Sequence, residues 1–233
     1  MPSSAQPRPP RESATTGAHR KPRRHPVPST IWAAGPDPIN RTDRWPAPIV
    51  ERAATEFSQP GDQILLATPI SAHPQPRAHT RAPSVAAGPY SALEALGRHA
   101  AILPIFTEWD TPPQGHEHTA GADLILASLL PTHPGDPVVD RLAALAAQRL
   151  RAGGVLTVLT RSAHASDGTL VDPTGAVVHA AQTCDLLYLS HIVAVPIHND
   201  MVTPDITPPP NDDRSAPRHQ VVHTDLLVFL QAR

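Results

Sequence analysis

The chain has 233 residues, of which 40% are hydrophobic and only 3% aromatic, and its formal net charge is -2. This length suits one domain with tails, and the near-neutral charge argues against a surface coated in positive charge for nucleic acid. The single cysteine, Cys184, cannot form an internal disulfide, and no apolar stretch reaches the ~18 residues of a membrane span. Together these features predict a cytoplasmic protein.

The placement of the 30 prolines predicts the domain organisation. They crowd residues 1–48, 60–89 and 204–217. Residues 1–29 hold seven of them and almost no large apolar side chains, so this segment cannot offset the entropy of ordering and is predicted to be a disordered tail. The remainder, 30–233, is predicted to be a single domain with Pro-rich loops at 69–90 and 197–222.

A basic cluster lies within the tail, at Arg20-Lys21-Pro22-Arg23-Arg24-His25. Cations on such an arm could contact phosphates, which makes DNA the expected partner. The alternative is a solubilising tail with no specific partner, because short runs of charge are common on disordered arms.

The first half of the domain reads as helix, strand, helix, strand. Apolar residues at helical spacing predict a helix over 47–58, and the apolar run 63–69 predicts a buried strand. A second helix is expected at about 91–99, with Ser91 as N-cap and Glu94 at the capping-box spacing. The run 100–106 predicts a second strand that Pro104 interrupts late.

The second half repeats the alternation and ends differently. Strands are predicted at 122–128, 155–162, 186–196 and 223–231, with helices from Asp136-Pro137 to about residue 151 and at 174–184. Strands that alternate with helices build a parallel sheet. The last two strands have no helix between them, which predicts an antiparallel pair at the end of the sheet.

Polar residues after the second strand are candidates for ligand binding. Glu108 and Asp110 stand where an acidic side chain can accept hydrogen bonds from a ribose, and the alternative for each is a solvated loop carboxylate. His116 and His118 form a His-x-His pair, but no third ligand stands at a recognisable spacing, so no metal is expected.

This pattern resembles the class I S-adenosylmethionine-dependent methyltransferases. Several segments are similar to small DNA-methylase-like proteins of high-GC actinobacteria: Ile31-Trp32-Ala33, Pro60-Gly61-Asp62, Leu96-Gly97-Arg98, and residues 122–131, 150–162, 167–182 and 186–195. The resemblance implies a Rossmann-like sheet, mostly parallel with an antiparallel C-terminal strand pair and helices on both faces. It also implies S-adenosylmethionine as the cofactor.

The same resemblance implies the site residues. Where the family has a catalytic Asp/Asn/Ser-Pro-Pro-Tyr segment, this chain has Ser128-Leu129-Leu130-Pro131, so Ser128 and Pro131 are the expected catalytic residues, with Ser128 orienting the acceptor. The expected cofactor-binding residues are Thr68, Glu108, Asp110 and Asp123.

Two departures from the family keep two functions open. The first strand ends Ala67-Thr68-Pro69, without the family's carboxylate and Gly-x-Gly loop, and the catalytic segment lacks its first proline and its aromatic residue. One hypothesis is therefore a methyltransferase acting on DNA or another amine acceptor. The other is a catalytically inactive protein of the same fold that acts as a binding or scaffold module.

Overall fold

The computed structural model describes residues 30–70, 87–106, 121–131, 135–165, 169–203 and 222–232. The helices are α1 (Ala47–Phe57), α2 (Ala87–Ala95), α3 (Asp136–Arg149) and α4 (Thr174–Thr183). The long strands are β2 (Gln63–Ile70), β3 (His99–Phe106), β4 (Ala122–Ser128), β5 (Leu150–Thr160), β8 (Leu186–Val195) and β11 (Thr224–Gln231). The short strands are β1 (Ile31–Ala33), β6 (Ala163–His164), β7 (Leu170–Val171), β9 (Ile197–His198) and β10 (Met201–Val202).

Seven of these strands form one sheet in the order β1-β8-β11-β5-β4-β2-β3. The pairs β1–β8, β2–β3, β2–β4 and β4–β5 are parallel, while β11 runs antiparallel to both of its neighbours, β5 and β8. This confirms the predicted Rossmann-like methyltransferase sheet, mostly parallel with an antiparallel C-terminal pair. The pair does not lie at the edge, however, because β1 adds a further strand outside β8.

Helices cover both faces of the sheet, as predicted. One core packs α1 and α2 against the sheet together with Trp32 and Trp45, and the other packs α3 and α4 against the opposite face. Successive residues of a strand point to opposite faces, so Leu66 and Leu126 belong to the first core while Ala67 and Ala127 belong to the second. Side chains at 68 and 128 therefore lie on the α1/α2 face.

Arg98, directly before β3, joins the start of that strand to the end of α1. Its guanidinium donates to the carbonyl and the hydroxyl of Ser58, each at 3.2 Å, and to the carbonyl of Ala54 at 3.5 Å. The Ala54 carbonyl also accepts from the backbone N–H of Ser58, so this buried cation adds to the cap of α1 and fixes the helix over the sheet.

The structure corrects two local predictions, one for α2 and one for β3. The helix α2 begins at Ala87, so Ser91 lies inside it rather than at its N-cap; Pro89 falls in the first turn, where its missing N–H costs no helical hydrogen bond. Pro104 does not interrupt β3, which continues to Phe106. The strand is at the edge of the sheet, where a proline is tolerated because one side of the strand has no partner.

The second half contains another correction. The helix was predicted to run to about residue 151, but it ends at Arg149 and β5 begins at Leu150, so Gly153 and Gly154 lie inside the strand. At Gly154 an added Cβ would lie only 2.9 Å from the backbone oxygens of Ala122 and Arg151. A glycine is needed there because the backbones approach closely, not because a helix ends.

Parts of the predicted tail and loops lie outside the described residues. The tail 1–29 and most of the predicted loops 69–90 and 197–222 belong to these parts, although β2 extends to Ile70 and a β9–β10 hairpin occupies the start of the second loop. Within the described residues, no helix is both long and apolar enough to cross a membrane.

Candidate functional site

The sheet reverses its strand order between β2 and β4. The chain passes from β2 to β3 on one side and returns to place β4 on the other side of β2. In open α/β sheets, ligands bind outside the carboxyl ends of the strands at such a reversal. Thr68 and Ser128 lie one residue beyond Ala67 and Ala127, the last pair in the register of the two strands. We call the space outside these two strand ends the switch-point crevice.

Residues 40–46 cross this crevice, and we call them the strap segment. The guanidinium of Arg44 donates to the Thr68 hydroxyl at 3.0 Å and to the carbonyl of Pro69 at 3.3 Å. The Ser128 hydroxyl donates to the backbone carbonyl of Arg44 and accepts from the backbone N–H of Leu130 at 3.3 Å. One residue of the strap segment thus engages both hydroxyl groups that flank the crevice.

The strap segment is also held further along the sheet. Arg161, directly after β5, donates to the carbonyl of Arg41 and to the hydroxyl of Thr224, each at 3.1 Å. Burial lowers the pKa of Arg161 and nearby Arg41 lowers it further, while Asp43 and Asp225 act in the opposite direction. The strap segment therefore lies over the carboxyl ends of β2, β4 and β5.

Internal hydrogen bonds brace the strap segment. The side chain of Asn40 accepts from the backbone N–H of Thr42 at 3.0 Å and from its hydroxyl at 2.8 Å. Asp43 accepts from the backbone N–H of Trp45 at 2.9 Å, and the ring of Trp45 is buried in the α1/α2 core. The segment is thus a shaped piece of backbone with its own anchor.

The predicted site residues are only partly brought together. Thr68 and Ser128 meet at the crevice, and Pro131 follows three residues after Ser128, partly exposed. Glu108 and Asp110 lie outside the described residues, as do His116 and His118.

Asp123 lies at the amino end of β4, whereas the crevice lies at the carboxyl ends of the strands. Its carboxylate accepts from the Arg151 guanidinium at 2.6 Å and from the backbone N–H of Gln63 at 2.9 Å. These contacts join the starts of β2, β4 and β5. The geometry therefore gives Asp123 a structural role and does not place it with Thr68 and Ser128.

A second polar cluster, unforeseen from the sequence, lies at the start of β11. Nε2 of His191 is 2.8 Å from Oδ1 of the buried Asp225, and Nε2 of His223 is 3.4 Å from the same oxygen. Burial alone would raise the pKa of Asp225, but hydrogen bonds from the two histidines outweigh it and lower that pKa. The hydrogen bond to Asp225 raises the pKa of His223, against the effect of its burial.

Sequence patterns did not predict this cluster or the strap segment. His191 and Asp225 are 34 positions apart, and Arg44 is 84 positions from Ser128. Periodicity reports only local structure. The one available signal was Trp45, a large apolar side chain in a Pro-rich stretch, which indicates an anchored rather than a free segment.

A cavity of about 220 Å³ lies beside the strap segment, with Asp37, Asn40, Asp43 and Thr224 among its lining residues. Across the part of the chain that the structure describes, no group of three His, Cys, Asp or Glu side chains is arranged to hold a metal ion.

Comparison with known proteins gives distant structural likenesses. No family model matches the chain, and no curated protein matches it. Among solved structures, a TehB-like SAM-dependent methyltransferase from Corynebacterium glutamicum is similar at 11% identity and a TM-score of 0.38, over 78% of this chain and 86% of that one.

Two other solved structures are similar at the same level. Fibrillarin from Aeropyrum pernix, in complex with natively bound S-adenosyl-L-methionine, has 10% identity and a TM-score of 0.39, over 78% of this chain and 73% of that one. A putative DNA modification methylase from Thermus thermophilus has 8% identity and a TM-score of 0.34, over 79% and 50%. The fold class therefore stands on the strand order of this chain, and its function is argued from the residues at the crevice.

Proposed function

We propose that this chain is a methyltransferase-like protein that binds S-adenosylmethionine in the switch-point crevice and acts on DNA or another amine acceptor. The observation that carries the proposal is the pair of hydroxyl groups, Thr68 and Ser128, at adjacent strand ends where the strand order reverses. This is the place where sheets of this class bind their ligands.

The residues at the crevice fit the cofactor in part. In the proposed site, Thr68 would donate to or accept from the cofactor's polar groups, and Ser128 with Pro131 would lie on the side of the acceptor. The last residues of β2 and β4 themselves include no carboxylate, so the ribose is assigned to Glu108 or Asp110, as the sequence predicts. Asp123 has no part in this site.

In the proposed reaction the protein itself supplies alignment of the reactants rather than a reactive group. The bound cofactor supplies an electrophilic methyl group. The chain has to hold the acceptor in line with it and exclude water, and such alignment can supply much of a rate enhancement without a catalytic acid or metal. The hydroxyl of Ser128 would accept a hydrogen bond from the acceptor amine and orient its lone pair.

A second candidate function is a catalytically inactive binding or scaffold protein. It is favoured by one observation: Ser128 is fully buried and its hydroxyl already bonds Arg44 and Leu130. For such a protein, the Ser128 hydroxyl only stabilises the fold and binds no ligand. The basic cluster at 20–25, which lies outside the described residues, remains the predicted contact with DNA.

Calorimetric titration of the full chain with S-adenosylmethionine separates the two candidates. The proposed function predicts saturable heat with a dissociation constant in the micromolar range. If the heat does not exceed the heat of dilution at cofactor concentrations up to the millimolar range, the protein does not bind the cofactor, and the scaffold function is the one supported. S-adenosylhomocysteine serves as the second ligand, since a cofactor site should accept the demethylated product as well.

A further inference from the structure

We infer that the strap segment, residues 40–46, is a built-in closure of the switch-point crevice and lifts before a ligand enters it. The inference rests on the proposed function of the crevice. Its starting point is burial: Thr68 is 6% exposed and Ser128 is 0% exposed. The two hydroxyl groups best placed to meet a ligand are therefore out of its reach while the strap segment is down.

Ahead of the Trp45 anchor, the strap segment is held down by side-chain hydrogen bonds. Arg44 reaches Thr68 and Pro69, Ser128 reaches the Arg44 carbonyl, and Arg161 reaches the Arg41 carbonyl. Each can be exchanged for a bond to water at small net cost. Trp45 stays anchored in the α1/α2 core and Pro46 stays at the start of α1, so residues 40–44 would lift about this anchor while the bonds within Asn40–Thr42 are kept.

A closed crevice lowers the apparent affinity for a ligand. The measured dissociation constant equals the intrinsic one divided by the fraction of molecules that are open. Removing a bond that exists only in the closed state raises the open fraction, so it should tighten binding. A ligand-binding group would behave in the opposite way, because its removal weakens binding.

The test compares Arg44→Ala with Arg52→Ala, each in the full chain. Arg44→Ala removes the bonds to Thr68 and Pro69 and leaves both crevice hydroxyls intact. Arg52→Ala removes the same charge from α1, where the guanidinium lies 4.8 Å from the centroid of the Trp32 ring. We expect Arg44→Ala to bind S-adenosylmethionine about tenfold more tightly than the wild type, equivalent to 1.4 kcal/mol, and Arg52→Ala to bind it as the wild type does.

Hydrogen exchange of the wild type gives a second readout that needs no variant to fold. Adding S-adenosylmethionine should speed exchange in peptides that cover 40–46 while slowing it at the ends of β2 and β4. Slower exchange over 40–46, or equal or weaker binding by Arg44→Ala, would overturn the closure and leave the proposed function standing. Absence of binding by both the wild type and Arg44→Ala would overturn the proposed function and this inference together.

Discussion

Ser128 shows how a residue predicted for chemistry also carries the fold. Its hydroxyl is fully buried, donates to the carbonyl of Arg44 and accepts from the N–H of Leu130. The strand that ends at Ser128 could be predicted from its apolar run. The partner could not, because Arg44 comes from a segment with no periodic pattern.

Replacing Ser128 with alanine should destabilise the protein. The change removes the partner of a buried N–H and of a partly buried carbonyl, which costs about 1–3 kcal/mol. Urea unfolding followed by circular dichroism measures the loss. Thr55→Ala is the matched control, because that exposed hydroxyl bonds only Glu51 of its own helix and its loss should cost about 0.5 kcal/mol or less. Equal stability of Ser128→Ala and the wild type would contradict the role given to Ser128.

The pair of His223 and Asp225 should make stability depend on pH. The pKa of His223 is raised by its hydrogen bond to Asp225, against its burial; Arg161 lowers it and Asp172 raises it. A raised pKa means that this contribution is complete below the unfolded value of about 6.5 and is lost as the pH rises through the folded value. The free energy of unfolding of the wild type, minus that of His223→Asn, should therefore fall as the pH rises above about 6.5.

Asp225 sets the acid limit of the same contribution. The pKa of Asp225 is lowered in the folded protein. Its contribution to stability is therefore complete at pH values above its ordinary pKa, and it is lost as the pH falls through the lower pKa of the folded state. Urea midpoints measured across the pH range check both limits. A difference between wild type and His223→Asn that grows as the pH rises above about 6.5 would contradict the assignment.

At the scale of elements, β5 shows what a sequence pattern misses. The run 155–162 is predicted to be a strand on its β-branched residues, but the strand spans Leu150–Thr160 and carries Gly153 and Gly154 inside it. Paired glycines after a helix resemble a stop signal. The actual reason for Gly154, the close approach of two backbone oxygens, comes from strand neighbours that sequence spacing does not report.

Two glycine substitutions should therefore have opposite signs. Gly154→Ala places a Cβ 2.9 Å from two backbone oxygens, which forces the strands apart and should cost about 1–3 kcal/mol. Gly175→Ala, in the first turn of α4, meets nothing within 4 Å and should be neutral or stabilise by up to about 1 kcal/mol. Thermal unfolding of both variants measures the difference, and a stable Gly154→Ala would contradict the packing described for β5.

At the scale of the whole molecule, the alternation of strands and helices was enough to predict the sheet class. It could not place β1, because a strand of three residues is too short to show a period. Nor could it show that β11 inserts between β5 and β8, because strand order is decided by long-range pairing. The fold was therefore more predictable than the site, which depends on contacts between distant segments.

Deletion of residues 1–29 tests the predicted tail. The first described bond to the sheet is made by the carbonyl of Thr30, which accepts from the N–H of Val193 at 2.8 Å. The shortened chain should unfold with the same free energy as the full chain and should lose most of its affinity for DNA. DNA binding of equal strength after the deletion would exclude the 20–25 cluster as the contact.

Hydrogen exchange with and without the cofactor measures whether the switch-point crevice receives S-adenosylmethionine. We expect protection in peptides that end β2 and β4, around Thr68 and Ser128. Protection confined to the neighbouring cavity beside Asp37 and Thr224, or no protection at cofactor concentrations in the millimolar range, would contradict it.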